Sequence, residues 1–136
     1  MAGWLFKTEP STFSFADLVK QKKARWDGVK NATALIHLRA VAKGDVVVIY
    51  HTGNEKRAVG LATVVRAPYP DPAAFDPKLV VVDLAPDRAL PEPVPLAAFR
   101  ADPLLAQSDL IRITRLSIVP LSAAQLARVR TLGRLA

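Results

Sequence analysis

Six consecutive residues, Trp26-Asp27-Gly28-Val29-Lys30-Asn31, hold the densest mixture of groups able to recognise a flat polar ligand. Trp26 can stack on a planar ring, Gly28 lets backbone come close, Lys30 supplies a cation, and the Asn31 amide both donates and accepts. Such a set can grip a nucleobase by its face and read its edge, and stacking on an aromatic is worth roughly 1 to 3 kcal/mol per base. The commoner role of a large aromatic is to anchor a core, so these residues alone leave Trp26 with both roles open. Acid-base candidates are fewer. The two histidines, His37 and His51, stand at no metal-binding spacing. His37 falls within a helical stretch and suits packing or surface. His51 lies where a buried strand runs into a loop, a position equally suited to facing a ligand and to a structural hydrogen bond. Glu9, Asp27 and Asp45 could meet only through the fold. No Gly-x-Ser-x-Gly elbow, phosphate loop or dinucleotide fingerprint is present. With no cysteine, disulfides, thiolate zinc sites and cysteine nucleophiles are excluded. The expectation is a chain with no catalytic residue, no metal and no cofactor.

The elements that must position these groups can be read from apolar spacing and turn residues. Gly3 to Lys7 reads as a buried first strand that has stopped by Glu9, before Pro10. Ser14 and Asp17 resemble a capping box that opens a helix from Phe15 to about Lys22. Asn31 can cap a second helix reaching Ala40, with Ala34, Leu35, Leu38 and Val41 at helical spacing. Asp45 to Tyr50 and Arg57 to Val65 are β-rich runs around the turn Thr52-Gly53-Asn54-Glu55, which predicts a hairpin. Lys78 to Leu84 is a third such run, Pro95 to Arg100 can start a short helix, and Leu110 to Val119 mixes turn and strand signals. A last helix is expected from Ser122 to Leu132, ended by Gly133. Nine prolines between Pro68 and Pro103 make long helices there unexpected. The order predicts an α+β fold around a curved sheet or small barrel.

A length of 136 residues with 51% hydrophobic content fits one domain over 1–136. The net charge of +7 is unevenly spread. From Lys20 to Lys43, Lys20, Lys22, Lys23, Arg25, Lys30, Arg39 and Lys43 stand against Asp27 alone, a local balance of +6. From Arg66 to Asp102 six acidic residues outnumber four basic ones. Such segregation suits a nucleic-acid footprint and a solvated basic face alike. Apolar runs fall short of the roughly 20 residues a membrane span needs, and Met1 opens onto no leader pattern, so a soluble, cytoplasmic protein without a membrane partner is expected.

Taken in order, a series of segments resembles the EVE domain family. They are Trp4-Leu5-Phe6-Lys7-Thr8-Glu9-Pro10, Trp26-Asp27-Gly28-Val29-Lys30-Asn31, Leu38-Arg39, Lys43-Gly44-Asp45, Tyr50-His51-Thr52-Gly53-Asn54-Glu55-Lys56, Val59-Gly60, Tyr69-Pro70-Asp71-Pro72 and Arg115-Leu116-Ser117-Ile118-Val119-Pro120. The resemblance runs from Gly3 to about Leu126. It implies a PUA-like β pseudobarrel flanked by short helices, related to YTH reader domains, with a pocket for a modified base turned out of DNA or RNA. Carried over by position, the ligand-facing set is Lys7, Glu9, Trp26, Gly28, Val29, Asn31, Tyr50, His51, Thr52, Arg115 and Ser117. Lys20, Lys22, Lys23, Arg25 and Lys30 are expected along the nucleic-acid backbone. This chain departs from many members by carrying Ala32-Thr33-Ala34-Leu35-Ile36 where an aromatic and an arginine are common, which removes a second stacking wall. Lys30 likewise replaces a common arginine and loses its bidentate fork. Two alternatives remain at this point: a general RNA-binding module using the basic segment, and an enzyme using His51, Glu9 and Asp27 as acid and base.

Overall fold

The computed structural model describes residues 3–135; Met1, Ala2 and Ala136, the ends of the expected 1–136 domain, lie outside the described residues. The chain runs β1 (Gly3–Thr8), α1 (Phe15–Gln21), β2 (Ala24–Trp26), α2 (Ala32–Ala40), β3 (Val46–His51), β4 (Arg57–Pro70), β5 (Val80–Pro95), α3 (Leu96–Ala101), a 3-10 turn (Leu105–Gln107), α4 (Asp109–Arg112), β6 (Ile118–Leu121) and α5 (Ala123–Leu132). The six strands form one mixed sheet in the order β2-β5-β4-β3-β1-β6, in which β1 and β3 are parallel and every other pair is antiparallel.

The sheet curls on itself, and one ring contact demonstrates it. Three strands separate β2 from β1, so in a flat sheet they would lie about 19 Å apart at the usual ~4.8 Å spacing. Yet the ring centroids of Trp26 on β2 and Phe6 on β1 are 5.7 Å apart. The fold is thus the expected α+β pseudobarrel, and Leu5, Phe6, Val48, Ile49, Leu61 and Leu84 are buried on its strands, successive residues on opposite faces of the sheet. Gly60 on β4 makes room for the cover: a Cβ there would lie 2.5 Å from the Phe15 ring, so the absence of a side chain lets α1 close over the sheet.

The predicted caps are present. Ser14 Oγ accepts from the Asp17 amide at 3.1 Å while Asp17 Oδ2 accepts from the Ser14 amide at 2.9 Å. Ser122 and Gln125 repeat the same reciprocal arrangement on α5. Two strands run further than the residues suggest, β4 to Pro70 and β5 through Pro86, Pro91 and Pro93 to Pro95. β5 has strand partners on both sides only where Val82 to Leu84 meets β2. Its prolines lie beyond that stretch, where a missing N–H can face a free edge or a bulge. The mixed signal of Leu110 to Val119 resolves into α4, a turn and the start of β6.

Among the described residues no helix is long and apolar enough to cross a membrane.

Candidate nucleic-acid interface

Because β1 and β3 are parallel, their carboxyl ends emerge together, Lys7 beside Tyr50 and Thr8 beside His51. A cleft of about 560 Å³ opens at this end, within the range of roughly 300 to 1,000 Å³ typical of ligand pockets. Lys7, Thr8 and Glu9 form one wall, Thr12 and Phe13 a second, and Gln21 with the stretch Ala24 to Asp27 a third. The aromatic part is organised around Trp26, which is 8% exposed. Its ring leans on Phe6 and meets Phe13 edge-on, with centroids 6.0 Å apart at 82°.

The turn that presents Phe13 is tied down at both ends. The Glu9 carbonyl accepts from the amides of Thr12 and Phe13, and Glu9 Oε2 accepts from the Ser11 amide and hydroxyl, each at 2.8 Å. Thr8 Oγ1 donates to the Phe13 carbonyl at 2.6 Å. Glu9 therefore shapes the wall as well as lining it. Lys7 donates from Nζ to the Thr114 carbonyl at 2.9 Å, and burial pushes its amine below the usual lysine value. An ammonium has three N–H groups, so this one bond leaves Lys7 donors to spare. Arg25 faces Asp83 across the β2–β5 pair. Its charge is reinforced first by a hydrogen bond with Tyr69, whose hydroxyl donates to Asp83 at 2.6 Å and whose ring lies 3.6 Å beneath the Arg66 guanidinium.

Of the ligand-facing set expected from the sequence, the cleft gathers Lys7, Glu9 and Trp26, and of the expected backbone contacts it gathers Arg25. Tyr50 and Thr52 border a second, smaller cleft that shares Lys7. Gly28 is exposed with φ +79°, beyond the aromatic wall, and Val29 is buried in the core. Asn31 uses its side-chain oxygen to cap α2, accepting from the Ala34 amide at 3.0 Å. Ser117 continues the β1 ladder, its carbonyl accepting from the Lys7 amide at 3.0 Å, and Arg115 is exposed in the preceding turn. Lys20, Lys22, Lys23 and Lys30 are exposed and line neither cleft, although Lys20, Lys22 and Lys23 flank Gln21 and Ala24 in sequence.

His51 is engaged on both ring nitrogens and borders neither cleft. Nε2 accepts from the Phe15 amide at 3.0 Å, which places the proton on Nδ1, 2.9 Å from Glu55 Oε1. The hydrogen bond from His51 holds the Glu55 carboxyl below its usual range. His51 thus satisfies an amide of the first turn of α1 and does not meet Glu9 and Asp27 at the cleft. His51→Ala is expected to cost about 1 to 3 kcal/mol by leaving that buried amide unpaired. Chemical denaturation should show this loss, and ligand affinity of the folded variant should stay within about twofold of wild type.

The sequence does not single out Thr8, Thr12, Phe13, Gln21 or Ala24 of this lining, and it offers Asp27 only as an acid-base group. One signal was available for Phe13: a large aromatic set among the turn formers Pro10, Ser11, Thr12 and Ser14, where loops seldom need one. Gln21, the last residue of α1, and Ala24, the first of β2, carry no such signal; their positions follow from how the chain passes from that helix to that strand. Among the described residues no cluster of three or more His, Asp or Glu side chains is placed to hold a metal ion.

The profile of the EVE domain matches residues 2–132. Thymocyte nuclear protein 1 from Homo sapiens is 32% identical over 124 residues, covering 72% of this chain and 55% of that protein. The chain thus spans about half the length of this curated relative. A Rhodopseudomonas palustris protein solved by NMR superposes with a TM-score of 0.93 at 38% identity, covering 98% of this chain and 94% of that one. Human THYN1 protein, solved in complex with 5-methylcytosine containing DNA, superposes with a TM-score of 0.90 at 28% identity over 100% of this chain and 99% of that one.

Proposed function

The chain belongs to the EVE domain family, and on that footing we propose that it is a single non-catalytic domain that binds nucleic acid and takes a modified base, foremost a modified cytosine of DNA, into its larger cleft. The observation that carries this reading is the cleft itself, where Trp26 and Phe13 stand beside the charged groups of Lys7, Glu9 and Asp27. A base turned out of a duplex loses a few kcal/mol of stacking and pairing, and the cleft must return it. One aromatic contact contributes roughly 1 to 3 kcal/mol. The rest comes from the edge: a carboxylate of Glu9 or Asp27 can accept from the cytosine N4 amino group, a pairing of the kind acidic side chains make with that base. The spare Lys7 donors suit its ring and carbonyl acceptors. The human relative solved with 5-methylcytosine containing DNA and the net charge of +7 support the same class of partner.

The size of the discrimination can be anticipated. Burying one extra methyl against Trp26, Phe13 and Ala24 is worth about 0.8 kcal/mol, or roughly a fourfold preference over plain cytosine. Fluorescence anisotropy with matched duplexes carrying cytosine, 5-methylcytosine and bulkier modified cytosines at one position measures this at fixed salt. Binding that weakens with salt and favours at least one modified duplex by about fourfold or more is the expected result. Equal affinity across the whole panel would remove the reading.

A further inference from the structure

Lys7 also borders the second cleft, of about 210 Å³, and there it is joined by Lys56 and Arg100. The three cations arrive from separate elements: the end of β1, the turn between β3 and β4, and α3. Among the described residues none of them belongs to an ion pair. One carboxylate stands close by, since a Cβ added to Gly53 would lie 2.6 Å from Glu9 Oε1. Three positive charges against one negative leave the cleft positive, and like charges brought together disfavour the arrangement until an anion joins them.

The remaining walls fit such an anion. Leu96, Leu110 and Ile111 form an apolar side that limits water and strengthens electrostatic contacts. Tyr50 also lines the cleft; burial raises its pKa and the nearby Arg100 charge opposes that rise. Lys56 itself sits at φ +48°, a backbone conformation that non-glycine residues keep only where surrounding structure imposes it. Its carbonyl is fixed by the Leu96 amide at 2.8 Å, which joins the turn to the start of α3. The three cations of the cleft converge on one space and suit a compact oxyanion that can accept from two ammonium groups and a guanidinium together.

We propose that this second cleft is a phosphate site and, resting on the base-reading assignment, that it holds a backbone phosphate of the strand whose base enters the larger cleft. Lys7, common to both clefts, then couples base and phosphate recognition. The path of the strand runs over Lys56, which ends the motif Tyr50 to Lys56, and over Arg100, which lies in none of the family motifs; both fall outside the basic segment Lys20 to Lys43.

The test uses the full chain and the double variant Lys56→Gln/Arg100→Gln, whose two side chains are exposed, so the fold is retained. Anisotropy with modified and plain duplexes is measured over a salt series, and backbone amide NMR shifts are followed on titration with inorganic phosphate alone. The expected result is an affinity loss of about tenfold or more and a salt slope shallower by about 0.9, the loss of one phosphate contact, with the preference for the modified base unchanged. If wild type shows no base preference but the variant still loses affinity and slope, base reading fails and the phosphate site stands. If inorganic phosphate shifts Gly53 and Thr114 in wild type only, and DNA affinity is equal in both proteins, the site serves a free phosphate compound and its assignment to the strand is overturned. Unchanged affinity, slope and phosphate shifts would overturn the site altogether.

Discussion

Phe13→Ala is expected to weaken binding of a duplex carrying a modified cytosine by about 1 to 3 kcal/mol, roughly 5- to 150-fold, with only a modest loss of stability. The two aromatic walls of the cleft differ in what else they do. Trp26 is 8% exposed and rests on Phe6, so it joins β2 to β1 across the curl of the sheet. Truncating it would cost about 3 to 5 kcal/mol of folding free energy, and any binding defect would be mixed with unfolding. Phe13 is half-buried, on a turn whose backbone is held by Glu9 and Thr8 independently of the ring. Its removal deletes one face of the cleft and leaves the frame. Anisotropy titrations paired with a thermal melt of the same variant separate the two effects, and Phe13→Tyr, which keeps the aromatic face, should restore most of the affinity. Wild-type affinity in Phe13→Ala at equal salt would mean that the base does not stack on this wall.

The same pair of residues shows what could be read from the chain before its fold was known. Trp26 is legible because it lies in a contiguous motif with Gly28, Lys30 and Asn31, and motifs are visible along a sequence. Phe13 is not legible, because its partnership with Trp26 is made only when β2 returns beside the end of β1 around the curled sheet. The replacement of an aromatic by Ala32 to Ile36 pointed to a lost second wall, yet those residues form the first turns of α2, with Ala34 and Leu35 buried in the core. An aromatic wall comes instead from the β1–α1 turn.

Element starts were legible wherever a side chain closes onto nearby backbone, as at Ser14, Asn31 and Ser122, because that chemistry is local. The length of β5 was not. Proline argues against a central strand, and only the sheet order reveals that Pro86, Pro91 and Pro93 lie where β5 has a single neighbour. Asn31 and His51 combined the right residue type with the right neighbourhood for a ligand, but each was already committed to a helix start. A polar side chain beside a site serves the frame or the ligand according to where its hydrogen bonds go, and the residue type alone does not specify that.

The largest loss of stability from a polar substitution is expected at Asp45, 4% exposed at the entry to β3. Its Oδ2 accepts from the Trp4 indole Nε1 and from the Ala42 amide, each at 2.9 Å. Its backbone amide donates to the Ala42 carbonyl at 3.1 Å, and its carbonyl accepts from the Val64 amide at 3.0 Å. One carboxylate thus joins the connection after α2 to β1, the strand whose far end carries Lys7 and Glu9. Asp45→Ala strands a buried indole N–H and a part-buried amide, at about 2 to 4 kcal/mol in total. For a chain of this size that is a fall of roughly 10 °C in Tm. Asp45→Asn, which keeps an acceptor oxygen, should lose less. A double-mutant cycle with Trp4→Phe isolates the indole contact, because once the donor is absent the loss of Asp45 should cost about 1 kcal/mol less than in wild type. Strict additivity of the two substitutions would mean that the indole bond adds no stability. Folded Asp45→Ala protein should still bind modified duplex with near wild-type affinity at low temperature, since the cleft is built at the opposite end of β1 from Trp4.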